Sequence, residues 1–262
     1  MEPQDQSLAE RFQQYFDVDF AGSLEQKSAV YRIRYRVYCE DLEYEPADLF
    51  PDRLERDIFD EHSLHCLITH RRSGKHAGCV RLVAAGGPYE GGVLPFEKNC
   101  PGCVAPEFFS ARNLQRESMC EISRLAVDRL FRRRTGEQVT RLGEENAMDC
   151  THQEMRTFSL IAVAGFLAAT ALTEITGRTD VFAMMEPFLP RLLKRSGIEF
   201  ERAGEDLEYH GTRAPYFIKT EWATNNMRPD LRELYDVIHR QVGRSHRVYQ
   251  EASSPKDYED IS

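Results

Sequence analysis

The stretch Cys120-Glu121-Ile122-Ser123-Arg124-Leu125-Ala126-Val127-Asp128 constrains this chain most. Ile122, Leu125, Ala126 and Val127 have the character of a short buried strand, yet Glu121, Ser123 and Arg124 stand inside it. Burying a carboxylate and a guanidinium is costly unless they pair or are put to use. The stretch is therefore either a structural ion pair at a strand end or the centre of a site. In a regular strand residues 121 and 124 point to opposite faces, so service to one pocket requires a bulge between them.

A chain of 262 residues with 41% apolar content can bury one sizeable core. We expect one domain over residues 1–250, with insertions at about 85–119 and 129–156 and a polar, disordered tail at 251–262. The net charge of -9 and a pI near 5.5 argue against a nucleic-acid-binding surface. The 7 cysteines lack framework spacing and residues 1–5 are neither basic nor apolar, which suits a reducing cytoplasm. The uncharged run 157–173 falls short of the ~20 apolar residues of a membrane span. Its Ala, Gly and Thr content predicts a core helix seated closely on a sheet.

Leu8, Phe12 and Phe16 have helical spacing, and residues 15–20 alternate as a strand does. Ser23-Leu24-Glu25-Gln26 is a capping-box pattern opening a helix to about residue 42, with Arg34 and Tyr38 on one face. That face reads either as an amphipathic helix with snorkelling cations or as part of a site. Residues 62–70 and 76–84 form a predicted hairpin across the turn at Gly74, with Arg81 inside an apolar run and in need of an acid. A strand at 181–185, a helix at 188–195, an antiparallel pair within 197–219 turning at 204–206, and a helix at 226–242 follow. The order fits a mixed α/β sheet.

Glu55, Asp57 and Asp60 sit in an acidic loop whose spacing is not that of a calcium loop. Cys100-Pro101-Gly102-Cys103 is a single Cys-x-x-Cys pair, too few ligands for zinc, and no metal site is expected. Arg129, Arg132, Arg133 and Arg134 form a basic cluster in an acidic chain, either a solvated helix start or a docking patch for an acidic partner. No Rossmann fingerprint, Walker loop or nucleophile elbow occurs.

Taken in order, these motifs resemble the acyl-homoserine-lactone (autoinducer) synthases and the related long-chain N-acyl amino acid synthases, of the GCN5-related N-acyltransferase (GNAT) fold. Arg34-x-x-x-Tyr38-x(5)-Tyr44 resembles the family's Arg, Phe and Trp triplet, with Tyr at both aromatic positions. Glu55-x-Asp57-x-x-Asp60 resembles its acidic triplet, Arg81 its strand arginine and Glu121-x-Ser123-Arg124 its central strand motif. A narrower resemblance over residues 28–220, to acyltransferases of the PEP-CTERM/exosortase system, rests on residues 34–39, 123–127, 185–193 and 209–215.

The resemblance implies an α/β, GNAT-like mixed and mostly antiparallel sheet flanked by helices. It also implies transfer of a long-chain acyl group from an acyl-carrier-protein thioester, on phosphopantetheine, to a small amino acid. No permanently bound cofactor is then needed. The expected catalytic residues are Glu121, as base, and Arg124. Expected substrate-binding residues are Arg34, Tyr38, Tyr44, Asp57, Asp60, Arg81, Phe96 and Ser123, with Arg34 receiving the acceptor's carboxylate. Arg129, Arg132, Arg133 and Arg134 are the expected docking patch for the acyl carrier protein, because the place of a coenzyme A pyrophosphate loop holds a single Gly136. Arginines around Glu121 are expected to lower its pKa and so favour relay through water. Three rivals stand beside this reading: an S-adenosylmethionine-dependent autoinducer synthase, a coenzyme-A-dependent acetyltransferase, and a non-enzymatic acyl-carrier-binding module.

Overall fold

A computed structural model describes residues 6–88, 90–132 and 157–253. Ser7 and Glu10 form a capping box that opens α1 (Leu8–Tyr15), which runs directly into β1 (Phe16–Phe20). Ser23 and Gln26 form a second box at the start of α2 (Leu24–Arg34), extended by a π-helical turn (Tyr35–Asp41). The predicted hairpin is β2 (Leu64–His70) and β3 (His76–Ala84). Two short helices, α3 (Pro95–Asn99) and α4 (Pro106–Ala111), lead to β4 (Met119–Val127) and α5 (Arg129–Arg132).

The uncharged run becomes α6 (Leu160–Thr176), stopped by Gly177 at φ 67°, a left-handed conformation that glycine adopts without a Cβ clash. Then come β5 (Asp180–Met185), α7 (Phe188–Lys194), β6 (Glu201–Arg202), β7 (Leu207–Glu208), β8 (Thr212–Lys219), α8 (Thr220–Asn225) and α9 (Pro229–Ser253). No helix among the described residues is long and apolar enough to cross a membrane.

The strands pair in the order β1-β2-β3-β4-β5-β8-β6, with β7 added to β8, and among the described residues only β4 and β5 run parallel. This is the mixed, mostly antiparallel sheet that the sequence predicts. Both faces are covered, so alternate residues serve different cores. Cys66, Ile68, Val80 and Leu82 face the side of α6 and α9, whereas Leu67, Cys79 and Ala126 pack on Ala29, Val30 and Ile33 of α2. Farther along that second face, Phe96 of α3 and Phe108 of α4 pack on Phe182 and Phe217. The 85–119 insertion is therefore a second cover beside α2, and a gap between the two covers lies over β3 and β4. On the opposite face, a Cβ on Gly165 would come within 2.4 Å of the Leu125 side chain, so α6 seats closely on β4.

Two expectations change at the C-terminal end. Turn residues at 204–206 do not join an antiparallel pair; β6 and β7 each pair with β8, and the turn into β8 is 209–211, where His210 (φ 51°) and Gly211 (φ 89°) are left-handed. The last helix starts later and runs to Ser253, past the expected tail boundary at 251; Val242 and His246 are buried, and its last turns beyond them are exposed. The expected tail beyond 253 lies outside the described residues.

Candidate active site

The bulge required by residues 121 and 124 is present. Arg81 pairs with Ser123 and Cys79 with Ala126, so β3 spends one residue where β4 spends Arg124 and Leu125. Arg124 takes φ 54°, a left-handed conformation uncommon outside glycine, Asn and Asp. Before the bulge Glu121 and Ser123 face the α2 side; after it, Ala126 does. The extra residue redirects Arg124 onto the face of Glu121, while Leu125 turns to α6 and its carbonyl accepts the Tyr38 hydroxyl at 2.9 Å.

Three arginines meet four loop carboxylates over this face. Arg34 is fully buried; its Nη1 and Nη2 donate to the two oxygens of Asp60 at 2.5 and 2.9 Å, and its Nε donates to Glu55. Arg81 donates to Asp57 at 2.6 Å, to Asp60 at 3.0 Å and to Ser123 at 3.1 Å. Arg124 reaches Glu55 at 3.2 Å and both Asp57 and Glu45 at 3.4 Å. Burial by itself would raise the Asp60 pKa, but Arg34 and Arg81 outweigh it and hold the carboxyl well below the usual range. Burial drives neighbouring His65 the other way, down to about 3, so it is neutral.

Glu121 stands apart from this network. Its side chain is 3% exposed, and one oxygen accepts the Phe96 amide at 2.7 Å, at the start of α3. Burial pushes its pKa up to about 8; the Phe96 amide, then Arg81 and Arg124, pull it down by less. The expected lowering is thus reversed, because the two arginines are already neutralised by Asp57, Asp60 and Glu55 while desolvation of Glu121 is nearly complete. A carboxyl poised near the pH of the cell is suited to taking and returning a proton.

Glu121 and part of the arginine–carboxylate network line a cavity of about 630 Å³. Of the sequence-predicted residues, Tyr38, Tyr44, Asp57, Arg81, Phe96, Glu121, Ser123 and Arg124 line it. Arg34 and Asp60 do not. Contrary to the expectation that it receives the acceptor's carboxylate, Arg34 is fully buried away from the cavity, and its Nε, Nη1 and Nη2 each donate to Glu55 or Asp60, which anchors the acidic loop. Asp60 is enclosed for the same reason, between Arg34 and Arg81.

Tyr38 and Tyr44 form a wall, their rings 6.4 Å apart and 21° from parallel, and His210 continues the stack 5.3 Å beyond Tyr44. Tyr209, His210 and Arg213, from the turn into β8, were not predicted as site residues, although they lie within a motif that carries the family resemblance. The signal that would have found them is Gly211 flanked by an aromatic, an imidazole and a guanidinium, the marks of a functional turn. Glu55, a member of the acidic triplet, joins Arg34 to Arg124.

A second cavity of about 820 Å³ adjoins the first through Tyr38, Tyr44, Ser123, Arg124, Met184 and Arg213. It exists because β4 and β5 pair only from Met119 to Glu121 and from Asp180 to Phe182, then diverge. Through Ile122, Phe166 and Ala183 it adjoins a third, apolar cavity of about 440 Å³ between the sheet and α6. A polar chamber, a split in the sheet and an apolar recess therefore follow one another.

In the predicted docking patch, Arg132 pairs with Asp41 and Arg129 is exposed; Arg133 and Arg134 lie outside the described residues, as does Gly136. Cys100 borders the polar cavity, Cys103 does not, and both are free. Among the described residues no group of three or more His, Cys, Asp or Glu side chains is placed to hold a metal ion.

Residues 33–141 match the acetyltransferase (GNAT) domain family. No curated protein matches the chain. Among solved structures, TofI, in a ternary complex with an inhibitor and MTA, is 20% identical, with a TM-score of 0.56 over 82% of this chain and 98% of that one. The AHL synthase LasI is 16% identical, with a TM-score of 0.52 over 81% of this chain and 95% of its own. FeeM, an N-acyl amino acid synthase from uncultured soil microbes, is 12% identical, with a TM-score of 0.52 over 81% and 94%. At these identities the likeness is one of fold. Residues 33–141 carry the match to the GNAT acetyltransferase domain, and the chain has the fold of these synthases around a split sheet and a buried carboxyl, which supports an acyltransferase.

Proposed function

We propose that this protein moves a long-chain fatty acyl group from an acyl-carrier-protein thioester to the amino group of a small amino acid, in the cytoplasm. The observation that carries the reading is Glu121, a buried carboxyl with its pKa near 8, set in a polar cavity that opens through the sheet split into an apolar recess. The acceptor enters as an ammonium ion, and Glu121 takes its proton, directly or through a water molecule. The freed amine attacks the thioester carbonyl carbon. The C–N bond forms, the C–S bond breaks, the leaving thiolate takes up the second proton shed by the attacking nitrogen to give the carrier's thiol, and Glu121 releases the first to solvent. Arg81 and Arg124 are fixed by the acidic loop and set the field around the reacting atoms.

We assign the acyl chain to the recess lined by Ile122, Phe166, Ala169, Val181, Ala183 and Ile218, whose surface is mostly apolar. Ala169→Met projects a longer side chain into that space and is expected to shorten the preferred acyl chain, read from the product masses. Unchanged chain lengths would place the acyl group elsewhere.

An acyl carrier protein is favoured as donor by Arg129 and the further arginines up to 134, which suit an acidic partner. Within this activity we place the chain among the exosortase-associated acyltransferases, on the motifs at 34–39, 123–127, 185–193 and 209–215.

The test is to incubate purified protein with long-chain acyl carrier protein and the common amino acids, following free thiol and product masses. An N-acyl amino acid with a free carboxylate, formed without S-adenosylmethionine, is expected. Product that needs S-adenosylmethionine, or that has a homoserine lactone mass, would move the protein to the autoinducer class. Equal turnover with acyl-coenzyme A would remove the carrier protein as the specific donor.

A further inference from the structure

Among the described residues, Arg213 is the arginine of the polar cavity with no carboxylate against it. Arg81 and Arg124 also line that cavity, and both are tied into the acidic loop by hydrogen bonds to Asp57 and Glu55 among others. The buried Nε of Arg213 has no hydrogen-bond partner among the described residues. Its guanidinium carbon lies 5.5 Å from the centroid of the Tyr44 ring, a cation–π contact that holds the group over the aromatic wall while leaving its donor edge open. A buried guanidinium nitrogen without an acceptor is costly, and an anionic ligand removes that cost.

The position is set by the chain. Arg213 pairs with Leu207 at the start of β8, directly after the turn at His210 and Gly211, whose left-handed backbone brings β8 back towards Tyr44. From there Arg213 lines both the chamber that holds Glu121 and the split between β4 and β5. It stands at the junction where an acceptor's amine must meet a thioester.

We propose that Arg213 receives the carboxylate of the amino-acid acceptor and so restricts the enzyme to acceptors that carry a free carboxylate beside the amine. This deepens the function proposed above and rests on it. A guanidinium binds a carboxylate through a planar fork of donors, a geometry that fixes direction as well as charge. With the carboxylate held at Arg213, the amine is aimed into the chamber towards Glu121.

The probes are the amino acid accepted in the turnover assay and its α-amide, which differ at the carboxylate alone. Wild-type protein is expected to prefer the acid over the amide by roughly 10- to 100-fold in kcat/KM, as befits a hydrogen bond between charged groups. Arg213→Gln should abolish most of that preference by raising KM for the acid, with KM for the acyl donor little changed, and Arg213→Lys should restore part of it. Retained preference in a folded Arg213→Gln variant would overturn the inference, and a rise confined to the donor KM would assign the guanidinium to a donor phosphate instead. If no amino acid is acylated, the proposed function fails; glycine and glycinamide are then titrated by calorimetry into wild type and Arg213→Gln. Glycine binding that is lost in the variant would retain Arg213 as a carboxylate site, and its absence in wild type would reject it.

Discussion

Replacing Glu121 by Gln is expected to lower kcat by about a hundredfold or more while leaving the fold intact, the loss typical of a removed general base. Gln keeps an oxygen that can accept the Phe96 amide and fills the same space, so only the titrating function is taken away. The wild-type rate should rise with pH as Glu121 ionises around 8, and that limb should vanish in the variant. The stability sign can be checked separately. A carboxyl whose pKa is raised on folding binds its proton more tightly in the native state, so its contribution weakens as pH climbs from the unfolded value near 4.5 towards 8. Glu121→Gln should therefore have a Tm at least equal to wild type at pH 9, and a relatively lower one at pH 5. Unchanged turnover in a folded variant would remove Glu121 from the mechanism.

Arg34→Met is expected to destabilise the protein by about 3–5 kcal/mol, the range for breaking a buried pair and stranding its charge. Asp60 and Glu55 would keep their negative charges with a buried partner gone, and the acidic loop that fixes Arg81 and Arg124 would lose its anchor. Because native stabilities are of order 5–15 kcal/mol, much of the margin disappears, and chemical denaturation should show it directly. Asp60 adds a pH signature. Its carboxyl is held well below the unfolded value, so its stabilisation is full above that value and fades only as strong acid reaches the folded pKa. A variant of normal stability with a raised KM for the acceptor would instead return Arg34 to the role of carboxylate receptor that the sequence motif suggested.

Much of the fold follows from local pattern. The capping box at Ser23, the helix stop at Gly177 and the apolar runs 62–70 and 76–84 are short-range physics, and their elements formed close to where the pattern put them, the first strand beginning at Leu64. The bulge was legible too, because an acid and a base three residues apart in an apolar strand can share a face only if the strand gains a residue. The β8 turn was misplaced because Gly204-Glu205-Asp206 and His210-Gly211 are both credible turns, and only pairing with β8 chooses between them.

Sequence by itself determined the composition of the site: which acids, arginines and aromatics sit at strand ends and loops where they can meet. The tertiary structure decided which of them are free to act. Arg34 and Arg213 are the same residue type in equally suggestive motifs, yet Arg34 is enclosed by carboxylates 21 and 26 residues away, while Arg213 faces a cavity with its Nε unpaired. The arginines beside Glu121 favour its ionised form, and burial outweighs them. Both outcomes depend on desolvation and on partners distant in the chain. These quantities are set by three-dimensional packing and have no counterpart in local spacing.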